Sequence, residues 1–290
     1  MGIRVRQFLR TMRSVRTVRL WITTVLAALG LLAGVVGLVA ALFPHTAEPR
    51  RWWYLSLVLL LSVSFGTVRA WPRQRYSRHF PVPDTQISIV VGDLFEQDAH
   101  IVIGMSDTFD TETPDIISLH SIQGQFLTRV YNGDLKRLDN DLDSALQGKA
   151  SVKSEKREDK REGKLNRYAT GTVATLASAH HYAFCVAYSK MSNSNVAQSS
   201  VSDLWLSLLE VWDVIRAKGQ RQPVAMPIIG SELARVSNLV SRADLIRLIT
   251  LSFLTASRER VVTNELCIVV HPKDAERLDL RELADFLEAL

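Results

Sequence analysis

Two long uncharged stretches near the amino terminus constrain this sequence more than any other feature. Residues 20–43 are 24 positions without a charge, and residues 52–68 are another 17. As a helix the first stretch measures about 36 Å, which exceeds the roughly 30 Å of a membrane hydrocarbon core. The second measures about 25 Å, and Trp52 and Trp71 flank it where aromatic side chains typically anchor a helix at the membrane surface. The pattern predicts a two-helix transmembrane hairpin.

A cleaved signal peptide is the alternative interpretation of the first stretch, because basic residues precede it. However, its 24 uncharged residues exceed the roughly 7–15 apolar residues of a signal sequence, and a second apolar stretch follows within ten residues. We therefore expect both stretches to remain in the protein.

Charge is divided unevenly along the chain. Residues 1–79 contain 12 Lys/Arg and one acid, a net charge of +11, whereas residues 80–290 contain 23 Lys/Arg and 29 Asp/Glu, a net charge of −6. Six arginines precede the first stretch and four follow the second, but only Arg50 and Arg51 lie between them. The positive-inside rule then predicts a multi-pass membrane protein with both termini in the cytoplasm, which in a bacterium means the cell inner membrane. Because no aromatic residues interleave with the basic ones, we expect a lipid bilayer as partner and no nucleic acid.

The remaining sequence has the pattern of a soluble α/β domain. Strands are predicted at 86–91, 99–104, 170–176, 182–189, 224–229 and 265–270, and helices at 134–147, 202–218, 244–258 and 280–290. Their alternation indicates an α/β mixed sheet covered by helices on both faces. The predicted divisions are a basic cytoplasmic N-terminus (1–19), the hairpin (20–71), a linker punctuated by prolines (72–84) and this domain (85–290).

Several local features complete this prediction. Ser202 or Asp203 is expected to cap the 202–218 helix, and Asp134 the 134–147 helix. Residues 153–164, of which ten of twelve are charged, are expected to form a solvated insertion or a frayed helix. Cys185 and Cys267 lie in apolar runs without a CxxC motif, so we expect buried free thiols in a reducing compartment and no disulfide or metal site.

Ligands of such sheets bind at the carboxyl ends of the strands, which directs attention to the loops that follow predicted strands. Gly92-Asp93 follows the first strand, although an ordinary turn is the alternative there. In the loop 227–235, Gly230 and Ser231 can present backbone N–H groups to an anion. This loop has neither the Gly-Lys-Ser/Thr of a P-loop nor the GxGxxG of a dinucleotide-binding fold.

Four segments together resemble a macro domain, an α/β fold that binds ADP-ribose. They are GDLFEQDAHIVIGMSDTFDTE (92–112), SIQGQFL (121–127), YATGTVATL (168–176) and AMPIIGSELARV (225–236). With two preceding membrane spans, the architecture resembles the membrane effectors of type II Thoeris anti-phage defence. The resemblance implies that a TIR-domain enzyme makes a nucleotide signal from NAD, and that the macro-like domain senses this signal.

The resemblance also implies a set of ligand-binding residues. Asp93 stands where the family places the aspartate that accepts a hydrogen bond from the adenine amino group, and His271 where it places a residue near the adenine. The alternative for His271 is a surface or structural role. The remaining implied contacts are Leu94 beside Asp93; Ser106, Asp107, Gly124, Gln125 and Phe126 near the distal ribose; and Gly230, Ser231, Glu232, Leu233 and Ala234 at the diphosphate.

The sequence departs from hydrolytic macro domains near the distal ribose. Residues 103–107 (IGMSD) and 121–124 (SIQG) replace the family's Asn-Ala-Ala-Asn run and Gly-Gly-Gly loop. We therefore expect no catalytic residue, no metal and no cofactor, and a ligand that is an ADP-ribose-type nucleotide signal. We hypothesise a conjugate of ADP-ribose, for example with an amino acid, whose charge Asp107 or Glu112 reads. Because the domain is acidic, its phosphate contacts are expected to come from backbone N–H groups.

These inferences predict a membrane effector whose homo-oligomer rearranges when the nucleotide binds, disrupts the membrane and kills the cell. Its partner is a TIR-domain enzyme, through a diffusible product. A membrane-tethered ADP-ribosyl hydrolase is one alternative. A scaffold with a vestigial macro-like domain is the other.

Overall fold

The chain divides into two units, which a computed structural model describes for residues 12, 15–42, 51–71, 73–178, 180–231 and 240–290. The first unit is Met1–Arg73 with the short segment Ala275–Leu280. The second is Gln74–Asp274 with Arg281–Leu290.

Two helices, α1 (Val15–Leu42) and α2 (Arg51–Ala70), make up most of the first unit. Their segments Thr17–Val39 and Trp52–Ala70 have mean hydropathies of 2.4 and 1.4, and both are long and apolar enough to cross a membrane. Most of their large apolar side chains are exposed, whereas a helix of a soluble protein buries an apolar stripe. The two apolar helices predicted from the uncharged stretches are thus present.

α1 and α2 pack closely at one glycine. A methyl group at Gly66 of α2 would overlap Val25 Cγ2 of α1, so the small residue permits the helices to approach each other. Beside it, Trp21 Nε1 of α1 donates a hydrogen bond to Thr67 Oγ1 of α2 at 3.3 Å.

The second unit is built on a mixed sheet. Its strands and an additional hairpin are β1 (Arg75–Pro81), β2 (Asp84–Val91), β3 (His100–Ser106), β4 (Ser151–Ser154), β5 (Asn166–Tyr168), β6 (Val173–Ser178), β7 (His181–Met191), β8 (Ala197–Gln198), β9 (Val224–Pro227) and β10 (Glu265–Val270). The spatial order is β1-β2-β10-β9-β3-β7-β6, with β8 also on β7 and β4 paired with β5 alone. Strands β2, β10, β9, β3 and β7 are parallel, and β1, β6 and β8 are antiparallel to their neighbours.

Helices cover both faces of this sheet, which confirms the predicted fold class. They are α3 (Ile122–Val130), α4 (Leu135–Leu146), α5 (Val201–Lys218), α6 (Arg242–Glu259), α7 (Pro272–Ala275) and α8 (Leu280–Ala289). On one face, Ile103 and Cys185 pack in a cluster with Phe126 of α3 and Leu142 of α4. On the other, α5 contacts β7, and Trp212 of α5 packs edge-on against Phe253 of α6 with ring centroids 5.3 Å apart.

All six predicted strands and all four predicted helices are found, but one cap differs. Asp134 caps α4 as predicted, since its Oδ1 accepts the Arg137 N–H at 3.0 Å. The predicted cap of α5 at Ser202 or Asp203 is wrong. Ser200 holds that position: its Oγ accepts the Asp203 N–H at 3.0 Å, and its hydroxyl donates to the Asp203 carboxylate at 2.8 Å.

Part of the segment predicted as a linker is a strand. Residues 75–81 form β1, which pairs antiparallel with β2 along its whole length. Pro81 and Pro83 lie where the chain turns between the two strands, and an edge strand tolerates a terminal proline because its outer side needs no N–H donor. The prolines therefore mark a hairpin turn.

The expectation of a solvated run at 153–164 holds for the eight of its twelve residues that are exposed, and it fails at two buried charges, Lys160 and Glu155. Lys160 is fully buried, and its Nζ lies 2.8 Å from Asp110 Oδ2 and 2.7 Å from the Lys164 carbonyl oxygen. Glu155 is also buried, and its Oε1 accepts a hydrogen bond from Arg167 Nε at 2.7 Å. Asp110 lies 50 residues from Lys160, and Arg167 lies 12 residues from Glu155, so a pattern within the run does not reveal these partners.

Both cysteines are buried and free, as predicted. Burial raises the pKa of Cys185 to about 12 and that of Cys267 to about 11, so both remain protonated thiols near neutral pH.

Candidate functional site

A cavity of about 490 Å³ lies at the carboxyl ends of the parallel strands. This is the edge at which ligands of α/β sheets bind, and the size is within the usual range of about 300–1,000 Å³ for ligand pockets. Its described lining comes from the end of β10, from the segments after β2, β9 and β10, from the ends of β3 and β7, and from the starts of α3 and α6: Gly92, Asp93, Leu94, Phe95, Gly104, His120, Ser121, Ile122, Gln123, Gln125, Tyr188, Pro227, Ile228, Ile229, Gly230, Ser231, Arg242, Val269, His271, Lys273 and Asp274.

Asp93 is held in place at one end of the cavity. Its Oδ1 accepts the Phe95 N–H at 2.9 Å and so caps the short 3-10 turn Leu94–Glu96. Its Oδ2 accepts a hydrogen bond from Arg129 Nη1 at 2.5 Å. Partial burial raises the pKa of Asp93, but the hydrogen bonds from Arg129 and Phe95 and the nearby charges outweigh this, and the pKa lies below its usual value. The cavity therefore presents a carboxylate that stays ionised well into the acidic range.

The turn after β9 forms another part of the wall. Gly230 has a φ of +88°, which L-residues with a side chain rarely adopt, and the Ser231 N–H donates to the Ile228 carbonyl at 3.3 Å. The glycine thus permits a tight turn at the strand end. The predicted contacts Glu232, Leu233 and Ala234 lie outside the described residues.

Two cations that the sequence analysis missed also line the cavity. Lys273 lies two residues after His271, whose Nδ1 accepts the Lys273 N–H at 3.3 Å. Arg242 begins α6, and its Nε lies 3.1 Å from Asp274 Oδ1. A basic residue in the first turn of a helix opposes the helix dipole, which is the signal that singles out Arg242. Phosphate contacts in this acidic domain thus need not come from backbone N–H groups alone.

The segment predicted as the first glycine-rich loop is helical. Gln125 lines the cavity, but Gly124 lies inside α3, where a methyl group would overlap the Ser118 carbonyl oxygen and approach Leu119 Cα to 2.6 Å. Phe126 is buried in the core against Tyr131, with ring centroids 5.4 Å apart. Gly124 therefore allows α3 to pack closely on residues 118–119, and Phe126 packs α3 into the core. Neither residue lines the cavity.

The predicted contacts Ser106 and Asp107 also lie away from the cavity. Asp107 is buried, and it accepts hydrogen bonds from Arg167 Nη1 at 3.0 Å and from the Met191 N–H at 2.7 Å. Ser106 Oγ lies 3.1 Å from Thr108 Oγ1. Arg167 of β5 neutralises Asp107, so the expectation that Asp107 reads a ligand charge does not fit this geometry.

Tyr188 replaces these residues at the ends of β3 and β7. Its ring lies directly on Gly104, since a methyl group there would come within 2.6 Å of Tyr188 Cε1, and both residues line the cavity. A side chain at position 104 would displace the ring. In the described part of the chain, no group of three or more His, Cys, Asp or Glu residues is arranged to hold a metal ion.

Comparisons with known proteins agree with this architecture. The sequence profile of the family described as Thoeris protein ThsA, macro domain, matches residues 87–271. The Thoeris protein ThsA of Bacillus amyloliquefaciens (strain Y2) is 26% identical over 207 residues, which cover 70% of this chain and 68% of that protein. A solved structure of an Oceanobacillus iheyensis macrodomain with ADP has a TM-score of 0.50 at 11% identity, and covers 75% of this chain and 100% of that macrodomain.

The structural similarity establishes the fold, and the profile establishes the relationship. The matched region extends over well over half of the chain and includes the cavity from Asp93 to His271. The resemblance predicted from the four sequence segments is thereby confirmed: this chain belongs to the Thoeris ThsA macro-domain family.

Proposed function

We propose that the protein is a membrane effector of anti-phage defence whose macro domain senses an ADP-ribose-type nucleotide. The observation that carries this proposal is the single cavity wall that combines the ionised Asp93, the glycine turn at Gly230 and the cations Arg242 and Lys273. Carboxylate and cations stand in one cavity of about 490 Å³, which suits a ligand with a hydrogen-bond donor at one end and phosphates in its middle.

Each part of the nucleotide has a suitable partner in this wall. The adenine amino group donates to the Asp93 carboxylate, which retains two of its roughly four lone-pair positions after the bonds from Phe95 and Arg129. The diphosphate is stabilised by Lys273 and Arg242 beside the Gly230 turn. Gly104 and Tyr188 then form the wall for the distal ribose and any group that it carries.

The available carboxylates favour a sensor over a hydrolase. Among the described residues, the acids that line the cavity are Asp93 and Asp274, and each is paired with an arginine. Asp107 is engaged by Arg167 outside the cavity. The hydrogen bonds from Arg129 and Phe95 hold the pKa of Asp93 below its usual value, and a carboxylate with a lowered pKa is a poor general base.

The apolar helices α1 and α2 supply the effector part of the proposal. Both are long enough to span the inner membrane, and the arginines at their outer ends favour cytoplasmic termini. Two helices cannot enclose a pore, so membrane disruption requires several copies of the chain. We infer that nucleotide made by a TIR-domain enzyme rearranges a homo-oligomer, and that this rearrangement permeabilises the membrane and kills the cell.

Replacing Asp93 with alanine is expected to weaken the binding of ADP-ribose by about 10- to 100-fold, because the adenine amino group loses a charged acceptor. Isothermal titration of the full-length protein in detergent micelles measures this change. The matched control is Asp98→Asn, five residues away, where a fully exposed carboxylate forms an ion pair with His181. Equal affinity of the wild type and Asp93→Ala would exclude the proposed adenine site, and steady turnover of an ADP-ribose conjugate would favour a hydrolase.

Release of a dye from vesicles tests the membrane step. Full-length protein in vesicles of anionic lipid is expected to release trapped dye after addition of ADP-ribose, or of the products that a TIR-domain enzyme makes from NAD. The Asp93→Ala variant should stay closed under the same conditions, because ligand shifts an equilibrium only through its difference in affinity for the two states. Release that is independent of nucleotide in both proteins would contradict ligand gating.

A further inference from the structure

Arg129 holds Asp93 from outside the nucleotide cavity. It lies in the last turn of α3, and its Nη1 donates to Asp93 Oδ2 at 2.5 Å. Its guanidinium also lies over the Phe95 ring, with Cζ 5.0 Å from the ring centroid. The arginine thus joins the carboxylate and the backbone turn that follows it into one unit.

The surroundings of Arg129 show that it acts indirectly. A second cavity of about 250 Å³ adjoins the first, and Phe95 lines both. Arg129 lines the second cavity, whereas Asp93 lines the first. Arg129 therefore contacts the Asp93 carboxylate without lining the first cavity, whereas Asp93 itself lines that cavity.

We propose that Arg129 is a positioning residue that presets the Asp93 carboxylate for the adenine amino group, an inference that rests on the function proposed above. Two fixed bonds, one to each oxygen, leave the carboxylate a single orientation before the ligand arrives. A ligand then does not have to order this side chain, which is the usual source of affinity in a preorganised site.

The ion pair between Arg129 and Asp93 also controls the charge of the Asp93 carboxylate. Arg129 and His271 are the charged or titratable groups that act on Asp93, and Arg129 contributes through both a hydrogen bond and its charge. A carboxylate with a lowered pKa remains an acceptor above that pKa and loses this capacity as the pH falls through it. Without Arg129 the pKa of Asp93 returns toward its usual value. The loss of binding on the acid side therefore begins at a higher pH.

Titration of full-length protein with ADP-ribose tests the inference. Arg129→Met is expected to weaken binding about tenfold and to move the acid-side midpoint to higher pH, while Arg129→Lys retains the charge and should be intermediate. In an Asp93→Asn background, Arg129→Met should change the affinity less than about twofold, because its effect passes through Asp93. His271 is present in every variant, so it does not contribute to the differences in affinity or in acid-side midpoint between them.

Arg137→Met is the matched control. Arg137 also lies over an aromatic ring, with Cζ 5.7 Å from the Tyr131 centroid, but it lines neither cavity. If both Arg129 variants bound ADP-ribose with wild-type affinity and an unchanged acid-side midpoint, the inference would be overturned but the proposed function would stand. The same conclusion would follow if Arg129→Met weakened binding as much in the Asp93→Asn background as in the wild type. A wild-type protein that binds no ADP-ribose and no product of a TIR-domain enzyme would overturn the proposed function, and this inference with it.

Discussion

Lys160→Met is expected to lower the free energy of unfolding by about 3–5 kcal/mol, because it removes one partner of a fully buried ion pair. Lys160 and Asp110 both have no exposed side-chain surface, and their atoms approach to 2.8 Å. The substitution leaves the Asp110 carboxylate in the interior without its cation. Thermal unfolding of the full-length protein should show a melting temperature lower by about 10 °C.

Lys153→Met, in the same charged run, is the control for this measurement. Lys153 also forms an ion pair, with Glu155 at 2.8 Å, but its side chain is 63% exposed. Its replacement should cost less than about 1 kcal/mol, since exposed pairs contribute little. Equal melting temperatures for the two variants would mean that Lys160 is not buried in the native protein. A double variant with Asp110→Leu should recover part of the stability, because the unpaired charge is then absent.

Gly124→Ala is expected to destabilise the protein by about 3 kcal/mol, although alanine in a helix normally stabilises by about 1 kcal/mol. The new methyl group would overlap the Ser118 carbonyl oxygen and lie 2.6 Å from Leu119 Cα. Both are main-chain atoms, which cannot move aside as the end of a flexible side chain can. Because His120 and Ser121 of the same segment line the cavity of about 490 Å³, the affinity for ADP-ribose expected from the proposed function should fall as well.

The matched control is Gly92→Ala. A methyl group there would meet Gln97 Nε2 at 3.7 Å and Val90 Cγ1 at 3.9 Å, both ordinary contacts. Chemical denaturation of the two variants and the wild type measures the free energy of unfolding of each protein. A Gly124→Ala variant as stable as the wild type would show that the close packing of α3 on residues 118–119 is absent.

The framework of the fold could be predicted because its signals are local. A buried parallel strand is a short apolar run; β10 carries such a run at 266–270, and β2 carries one at 87–91 with Ser88 as its single polar residue. The strand-end rule then located Asp93, Gly230 and Ser231, and the family resemblance located His271; all four line the cavity.

The features that the sequence did not predict have a different physical origin. Lys160 is stabilised by Asp110, 50 residues earlier, and nothing near either residue marks the pair. Helix α3 escaped prediction because a glycine at its third position resembles a loop, and Ser121 caps it without an acidic residue to complete a capping box. Arg129 and Tyr188 belong to regular elements, so no sequence rule that inspects loops can find them.

The strand order has a consequence for synthesis of the protein. β10 is the last strand in the chain, yet it lies between β2 and β9 and pairs with both. Until β10 is made, β2 and β9, which precede Asp93 and Gly230, have no common neighbour in the sheet. The parts of the cavity lining that follow these two strands are then not joined. The apolar helices end at Ala70 and β10 ends at Val270, so at 5–20 residues per second translation needs about 10–40 s to complete the sheet after the hairpin. A ribosome-bound chain can thus expose its two apolar helices before the cavity has formed, and the cavity is complete only after β10 has been made.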